Sequence, residues 1–338
     1  MSRLVVFNLS NRAVGEFQAL CNRGYVLYGN PGVDGGGHTT IIVPDDVADE
    51  KWLQLGSLVL VEHSTLPAWV GMIDTPWKAK SPVELTLYNV EYFFHLRTPE
   101  QAERISAPIP QIVSRMIAIM NRQEQMFLSL GESSNDQVKY DVTLNQRSMW
   151  DQLIPLLEQT GYEMVLRPER DEKNRLRMFV DVDKQIGVST GFLLEDGKNM
   201  TVLEATVNGE ISNRVKGVSG TSTQEGQLQT EVFEDQDSQN LYRTRSATVS
   251  FQDVTQLSTL QEYTKTHLAT AAQPYLDLTV EVHESAFRYT QPGNQVLAHS
   301  ADLHLPGGVT GWRGIARILA MVYNEDNNTV EMKLRGTL

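Results

Sequence analysis

The sequence predicts an α+β fold that is mainly β, made of small barrels or sandwiches with an inserted β-α-β-β module. Three observations lead there. Short β-branched and aromatic segments recur between turn signals along most of the 338 residues. One stretch near residue 110 switches to apolar spacings of three and four. One capped helix lies between segments that read as strands. At this length a chain holds roughly two domains and a sizeable core. The changes of pattern divide it into residues 1–107, 108–210 and 211–338.

Residues 1–107 read as serial strands. Leu4-Val5-Val6-Phe7, Tyr25-Val26-Leu27-Tyr28 and Thr39-Thr40-Ile41-Ile42-Val43 come first. A hairpin follows within Leu55–Trp77. Its first arm, Ser57 to Glu62, is almost continuously apolar and predicts burial on both faces. Its second arm is expected over Trp69 to Ile73. Val83 to Val90 alternates with period two, as a half-buried strand does. The glycine-rich stretch from Gly29 to His38 lacks the Lys-Ser/Thr of a phosphate loop and runs into a strand, so it is read as a loop.

Ile112, Val113, Met116, Ile117, Met120 and Phe127 mark an amphipathic helix over 108–128. Ser148, with Asp151 three residues on, caps a second helix that Gly161 ends. Trp150, Leu153, Ile154 and Leu157 form its apolar side, and Pro155 predicts a kink or a late start. Strands at Val138–Leu144, Tyr162–Leu166 and Leu176–Val182 complete the module. Residues 221–241 are polar and acidic and read as a mobile excursion or partner-binding arm. A third helix is expected over 255–272, with Leu257, Leu260, Tyr263, His267, Leu268 and Ala271 on one side. Strands at 314–323 and 329–334, joined by Asn324–Asn328, close the chain.

Function classes narrow by chemistry. The net charge of −13 disfavours stable nucleic-acid binding, which needs a basic footprint. No apolar run reaches the ~20 residues of a membrane span. The first residues do not resemble a secretory signal, so synthesis and folding are expected in the cytoplasm. The single cysteine, Cys21, allows neither an internal disulfide nor a cysteine zinc site, and is expected to be a small buried hydrophobe. There is no Gly-x-Ser-x-Gly elbow. His299, Asp302 and His304, with His283 and Glu284 upstream, match no zinc or calcium spacing. Glu231, Glu234, Asp235 and Asp237 lack the order of a calcium loop. No enzyme activity, cofactor or metal is expected.

The order of elements carries more than any cluster. The hairpin "LGSLVLV…WVGMI" followed by "VELTLYNVEYFFHLR" resembles the first barrel of the phage tail hub, or baseplate hub, proteins. "RSMWDQLIPLLEQTGY" resembles their α/β insertion. "SQNLYRTRSATVSF" is similar to a family segment, Ser-x-x-x-Tyr-Gly-x-Arg, in which Arg243 replaces the usual glycine. "GWRGIARILAMVY…TVEMKL" resembles the closing hairpin. The resemblance implies tube-like β-domains and a homotrimeric ring in the virion. Such a ring docks under a hexameric tail tube or distal tail ring, carries a central fibre or spike, and passes DNA without holding it. The chain ends directly after its last strand, so any associated enzyme is expected on another chain. Under this reading the hairpin tip Ser64–Trp69 and the acidic arm become subunit or partner contacts, through Leu66, Trp69, Trp77, Leu228, Val232 and Phe233. A second reading is a carbohydrate- or receptor-binding module, with Trp69, Trp77, Trp312 and Tyr289 as stacking platforms.

Overall fold

Strands β1 (Ser2–Phe7), β2 (Ala13–Ala19), β3 (Arg23–Val26), β4 (His38–Ile42), β5 (Leu58–Glu62), β6 (Trp69–Lys78) and β7 (Glu84–Asn89) follow one another in a computed structural model. It describes all residues except 31–36, 124–127, 221–226, 252–253 and 284–289. All of these strands but β3 form one antiparallel sheet in the order β2-β1-β5-β6-β7-β4. Its two faces feed two cores. Leu4, Val6, Val59 and Val61 point into one, while Val5, Phe7 and Leu60 point into the other. That is why the first hairpin arm is apolar without alternation: Val59, Leu60 and Val61 are all inside, on both faces. The second arm runs to Lys78, past the expected Ile73. A bulge between Asp74 and Trp77 keeps its polar end paired with β7.

A short helix α1 (Tyr92–His95) interrupts the segment after β7. Next come β8 (Glu103–Ala107), α2 (Ile109–Gln123), β9 (Leu128–Ser133), β10 (Tyr140–Leu144), α3 (Met149–Thr160), β11 (Glu163–Arg170) and β12 (Leu176–Asp183). Helix α2 buries Ile112, Val113, Met116, Ile117 and Met120, as its spacing predicts; Phe127 lies outside the described residues. The Ser148 side chain accepts a hydrogen bond from the Asp151 amide at 3.1 Å, and Gly161 closes α3 at φ 69°. The helix runs from Met149 on through Pro155, so of the kink or late start expected there the late start does not occur. Pro155 and Asp151, whose carbonyl loses the bond, are both exposed, so water replaces it.

The β-α-β-β module is divided between two sheets. β10 pairs with β8, while β11 and β12 form a sheet with β9, which runs parallel to β12. Local patterning sets the strands but not their partners.

The remaining elements are β13 (Ser189–Glu195), β14 (Met200–Asn208), β15 (Arg214–Ser219), β16 (Gln229–Glu234), α4 (Gln236–Tyr242), β17 (Ser246–Phe251), α5 (Leu257–Ala271), β18 (Tyr275–His283), β19 (Gln295–Leu305), β20 (Val309–Asn324) and β21 (Thr329–Thr337). The sheet β13-β19-β20-β21-β18-β14 takes β3 as a seventh strand on β20. Its terminal strands β13 and β14 are consecutive in the chain, with an isolated bridge Asp196–Met200 between them. The sheet therefore curls until its ends meet at that corner. Leu278, Val280, Ile318, Met332 and Leu334 fill its inside.

The arm at 221–241 is not an excursion where it is described: β16 pairs with β15, and α4 follows. Thr230 is buried and accepts the Gly217 amide at 2.9 Å, and Asp235 caps α4 by accepting from the Ser238 amide. Polar side chains bonded to backbone hold this segment, so low hydropathy misrepresents it. Helix α5 buries Thr259, Leu260, Tyr263 and Thr264, and leaves Leu257 exposed. Thr264 sits so close to Gly217 of β15 that a Cβ there would meet its hydroxyl at 1.9 Å, so a glycine is needed at that point, while Leu260 and Tyr263 of the expected side enter the core.

Candidate assembly surfaces

The hairpin between β5 and β6 lies where the two large sheets meet. Leu66 packs into the core of the last sheet and Trp69 into the core of the first, 7% and 3% exposed. The Trp69 indole donates to the Gly24 carbonyl at 2.9 Å, and the Tyr25 hydroxyl donates to the Pro67 carbonyl at 2.8 Å. β3 is thus stitched to the hairpin tip on one side and to β20 on the other. Leu66 and Trp69 serve the chain's own interior and present no face to a partner. Trp312 is likewise buried, its indole donating to the Thr337 carbonyl at 3.3 Å, so neither Trp69 nor Trp312 is a stacking platform. Trp77 is half-buried against the first core. Tyr289 lies outside the described residues.

Leu228, Val232 and Phe233 belong to a different region. Leu228 packs on the central core, Phe233 is half-buried with the Lys265 ammonium 5.6 Å from its ring centroid, and Val232 is exposed. The six residues named from the sequence are therefore divided among three cores and two surfaces.

Between the sheets lies a cleft of about 660 Å³, walled by Tyr25, Trp69, Asn89, Arg167, Asp181 and Asn294 among others. Arg167 and Asp181 pair in its wall. Arg167 donates to Asp181 at 2.9 Å, and the Glu132 amide donates to the same carboxylate at 2.7 Å. Beside the cleft the Arg317 guanidinium of β20 makes a two-pronged pair with Glu163 of β11 and donates to the Ile186 carbonyl at 2.6 Å. Glu163 also accepts the Ile186 amide at 2.9 Å, and the Val188 amide donates to Asn294 at 3.1 Å. This junction straps the α/β region to the last sheet.

His299 has Glu195 at 3.7 Å, while Asp302 and His304 are exposed further along β19. Among the described residues no three His, Cys, Asp or Glu side chains gather as for a metal; Glu284 lies outside them. Cys21 is fully buried, and burial pushes its thiol up to about 12. No described helix is long and apolar enough to cross a membrane.

One corner escapes hydropathy reading. After α4 the backbone of Arg243 adopts φ 64°, ψ 165°, a region that glycine occupies and other residues avoid. The signal in the sequence was the arginine standing where the resembled segment has glycine.

No family model and no curated protein matches the sequence. Solved structures match it end to end. The prophage tail protein gp18 of Listeria monocytogenes superposes with a TM-score of 0.62 at 12% identity, over 99% of this chain and 94% of that one. A tail protein of Neisseria meningitidis does so with a TM-score of 0.58 at 15% identity, over 99% and 96%. The chain has the phage tail protein fold. The same tail fold extends to an Escherichia coli protein described as a type VI secretion component with structural similarity to the T4 tail proteins gp27 and gp5. That match has a TM-score of 0.54 at 10% identity, over 95% of this chain and 74% of the other. In this tail fold the strapped junction and the buried hairpin tip fix how the two large sheets stand to each other.

Proposed function

We propose that the chain is a structural hub of a phage tail tip or baseplate. It works as a homotrimer in the virion, under the hexameric tail tube or distal tail ring. It carries the central fibre or spike and forms part of the path for DNA ejection. The observation that carries this reading is the match of the whole chain, α/β region included, to tail proteins and to a secretion component described as resembling gp27 and gp5. The charge of −13 suits the role, because an acidic wall gives phosphates no counter-charge to settle on. The role asks for stiffness, which the stitched sheets supply, and for no chemical step. Three chains around an axis meet a sixfold tube if the two large sheets of each subunit stand as two tube-facing units.

The test is light scattering at micromolar concentration, with negative-stain images of the same sample. A mass three times the 38.0 kDa chain and a ring with a central hole are expected. A monomer that neither closes into a ring nor binds purified tail tube protein overturns the reading.

A further inference from the structure

Two stretches of backbone begin a ladder and do not continue it. The Tyr28 amide donates to the Met164 carbonyl at 2.9 Å, and the Met164 amide to the Tyr28 carbonyl at 3.1 Å. The bridge is isolated. From it β3 and β11 part around the cleft between the sheets, whose walls include Val26 and Leu166. Among the described residues β3 has a ladder only with β20, and β11 only with β12. Backbone groups alternate along an antiparallel ladder, so these bonds fix where their neighbours point. The Leu27 amide donates to the Leu319 carbonyl beside β20 at 2.8 Å. Val26, one residue back, therefore turns its N–H and C=O away from β20. Met164 turns both groups to Tyr28, and Leu166, two residues on, turns its own the same way, away from β12. Val26 is 8% exposed, so water reaches these groups poorly, and a buried backbone group without a partner is costly.

We infer that the cleft takes a short extended peptide segment of another protein, added as a strand between β3 and β11 and carrying a lysine or arginine. Main-chain bonds to edge strands supply affinity in such additions, and side-chain contacts supply selection. At about 660 Å³ the cleft is within the ~300–1,000 Å³ usual for ligand sites. Pro67, Ala68, Leu166 and Pro168 give it half-buried apolar surface. Pro168 has no N–H to offer, which keeps the added strand short. Charge selects the basic residue. Glu132, Asp181 and Asp183 line the cleft against a single guanidinium, that of Arg167, which is paired with Asp181 at 2.9 Å. The cations around it are engaged elsewhere: Lys184 with Asp136 at 2.8 Å, Arg170 with Glu62 at 3.2 Å, and Arg317 with Glu163. Among the described residues Glu132 and Asp183 are in no ion pair, so the cleft keeps an excess of negative charge. One copy of the chain holds the whole cleft, so the inference stands apart from the hub reading.

The experiment is fluorescence anisotropy of labelled hexapeptides titrated with the full chain. In the set, threonine alternates with valine or leucine, and one lysine takes each position in turn. A second set has glutamate for lysine, and a third carries the lysine with alternate amides N-methylated. The best lysine peptide is expected to bind saturably, at least ~10-fold more tightly than its glutamate counterpart. Its binding should slow hydrogen exchange at the Val26 and Leu166 amides, and N-methylation should abolish it. Glu132→Lys with Asp183→Lys should reverse the preference, and binding of the glutamate peptide then shows that the variant is folded. No saturable binding of any lysine peptide up to millimolar concentration overturns the inference. Equal binding by the N-methylated set overturns the added strand, and equal binding by the glutamate set overturns the basic occupant.

Discussion

Glu325, in the turn between β20 and β21, is nearly buried and collects four donors. They are the Cys21 amide at 3.0 Å, the Ser2 hydroxyl at 2.9 Å, the Met1 amine at 3.2 Å and the buried Arg23 guanidinium at 3.3 Å. Burial pushes its carboxyl up, but the amide, hydroxyl, amine and guanidinium together outweigh burial and hold it below the usual glutamate range. Arg23 also lies 4.7 Å from the Tyr323 ring centroid. A carboxyl with a lowered folded value contributes stability above its unfolded value, and loses it as pH falls through the folded one. Glu325→Gln should cost about 2–3 kcal/mol at neutral pH, because it leaves Arg23 buried without its counter-charge. The gap to wild type should close below about pH 4. Urea midpoints measured across that range check both the size and the sign.

Helix α3 contains opposing local terms. Its Ser148 cap supports it, and Pro155 removes one of its hydrogen bonds. Ser148→Ala should lower stability by about 1 kcal/mol by leaving the Asp151 amide without its acceptor. Pro155→Ala should raise it by about 1–2 kcal/mol, since alanine restores the bond to the exposed Asp151 carbonyl and the regained chain freedom offsets only part. Chemical denaturation of the two variants, and of the double variant, tests the opposite signs and their additivity. The cap was legible as Ser148 followed by Asp151, and so was the stop at Gly161. The uninterrupted passage through Pro155 was not, because it depends on which side of the helix faces water, and packing decides that.

Across the whole molecule, the Arg317–Glu163 strap joins regions 154 positions apart. Glu163 is 7% exposed in its side chain and Arg317 21%, so removing one partner leaves the other poorly solvated. Arg317→Met should cost about 3 kcal/mol and make the linker at 184–188 open to protease before the sheets unfold. Arg317→Met with Glu163→Leu should recover most of that loss, because an apolar pair has no charge to strand. Limited proteolysis and urea titration of both variants check it. If the single variant unfolds as one unit with unchanged midpoint, the strap does not couple the two regions.

The sequence by itself determined the mainly β class, most strands, the faces of α2 and α3, and the closing hairpin of β20 and β21. Period and capping are local, and the burial of alternating residues leaves a local trace. Even the two-sided burial of β5 was readable in its unbroken apolar run. The tertiary structure alone decided which strands share a sheet: β3 joins β20, and β10 joins β8 in place of β11. It also sent Leu66 and Trp69 inward, where the tip of a hairpin usually meets water. A strand's pattern records how much of it is buried, but a backbone ladder fits any partner strand. The partner is chosen by contacts outside the strand's own stretch of sequence, and those leave no period in it.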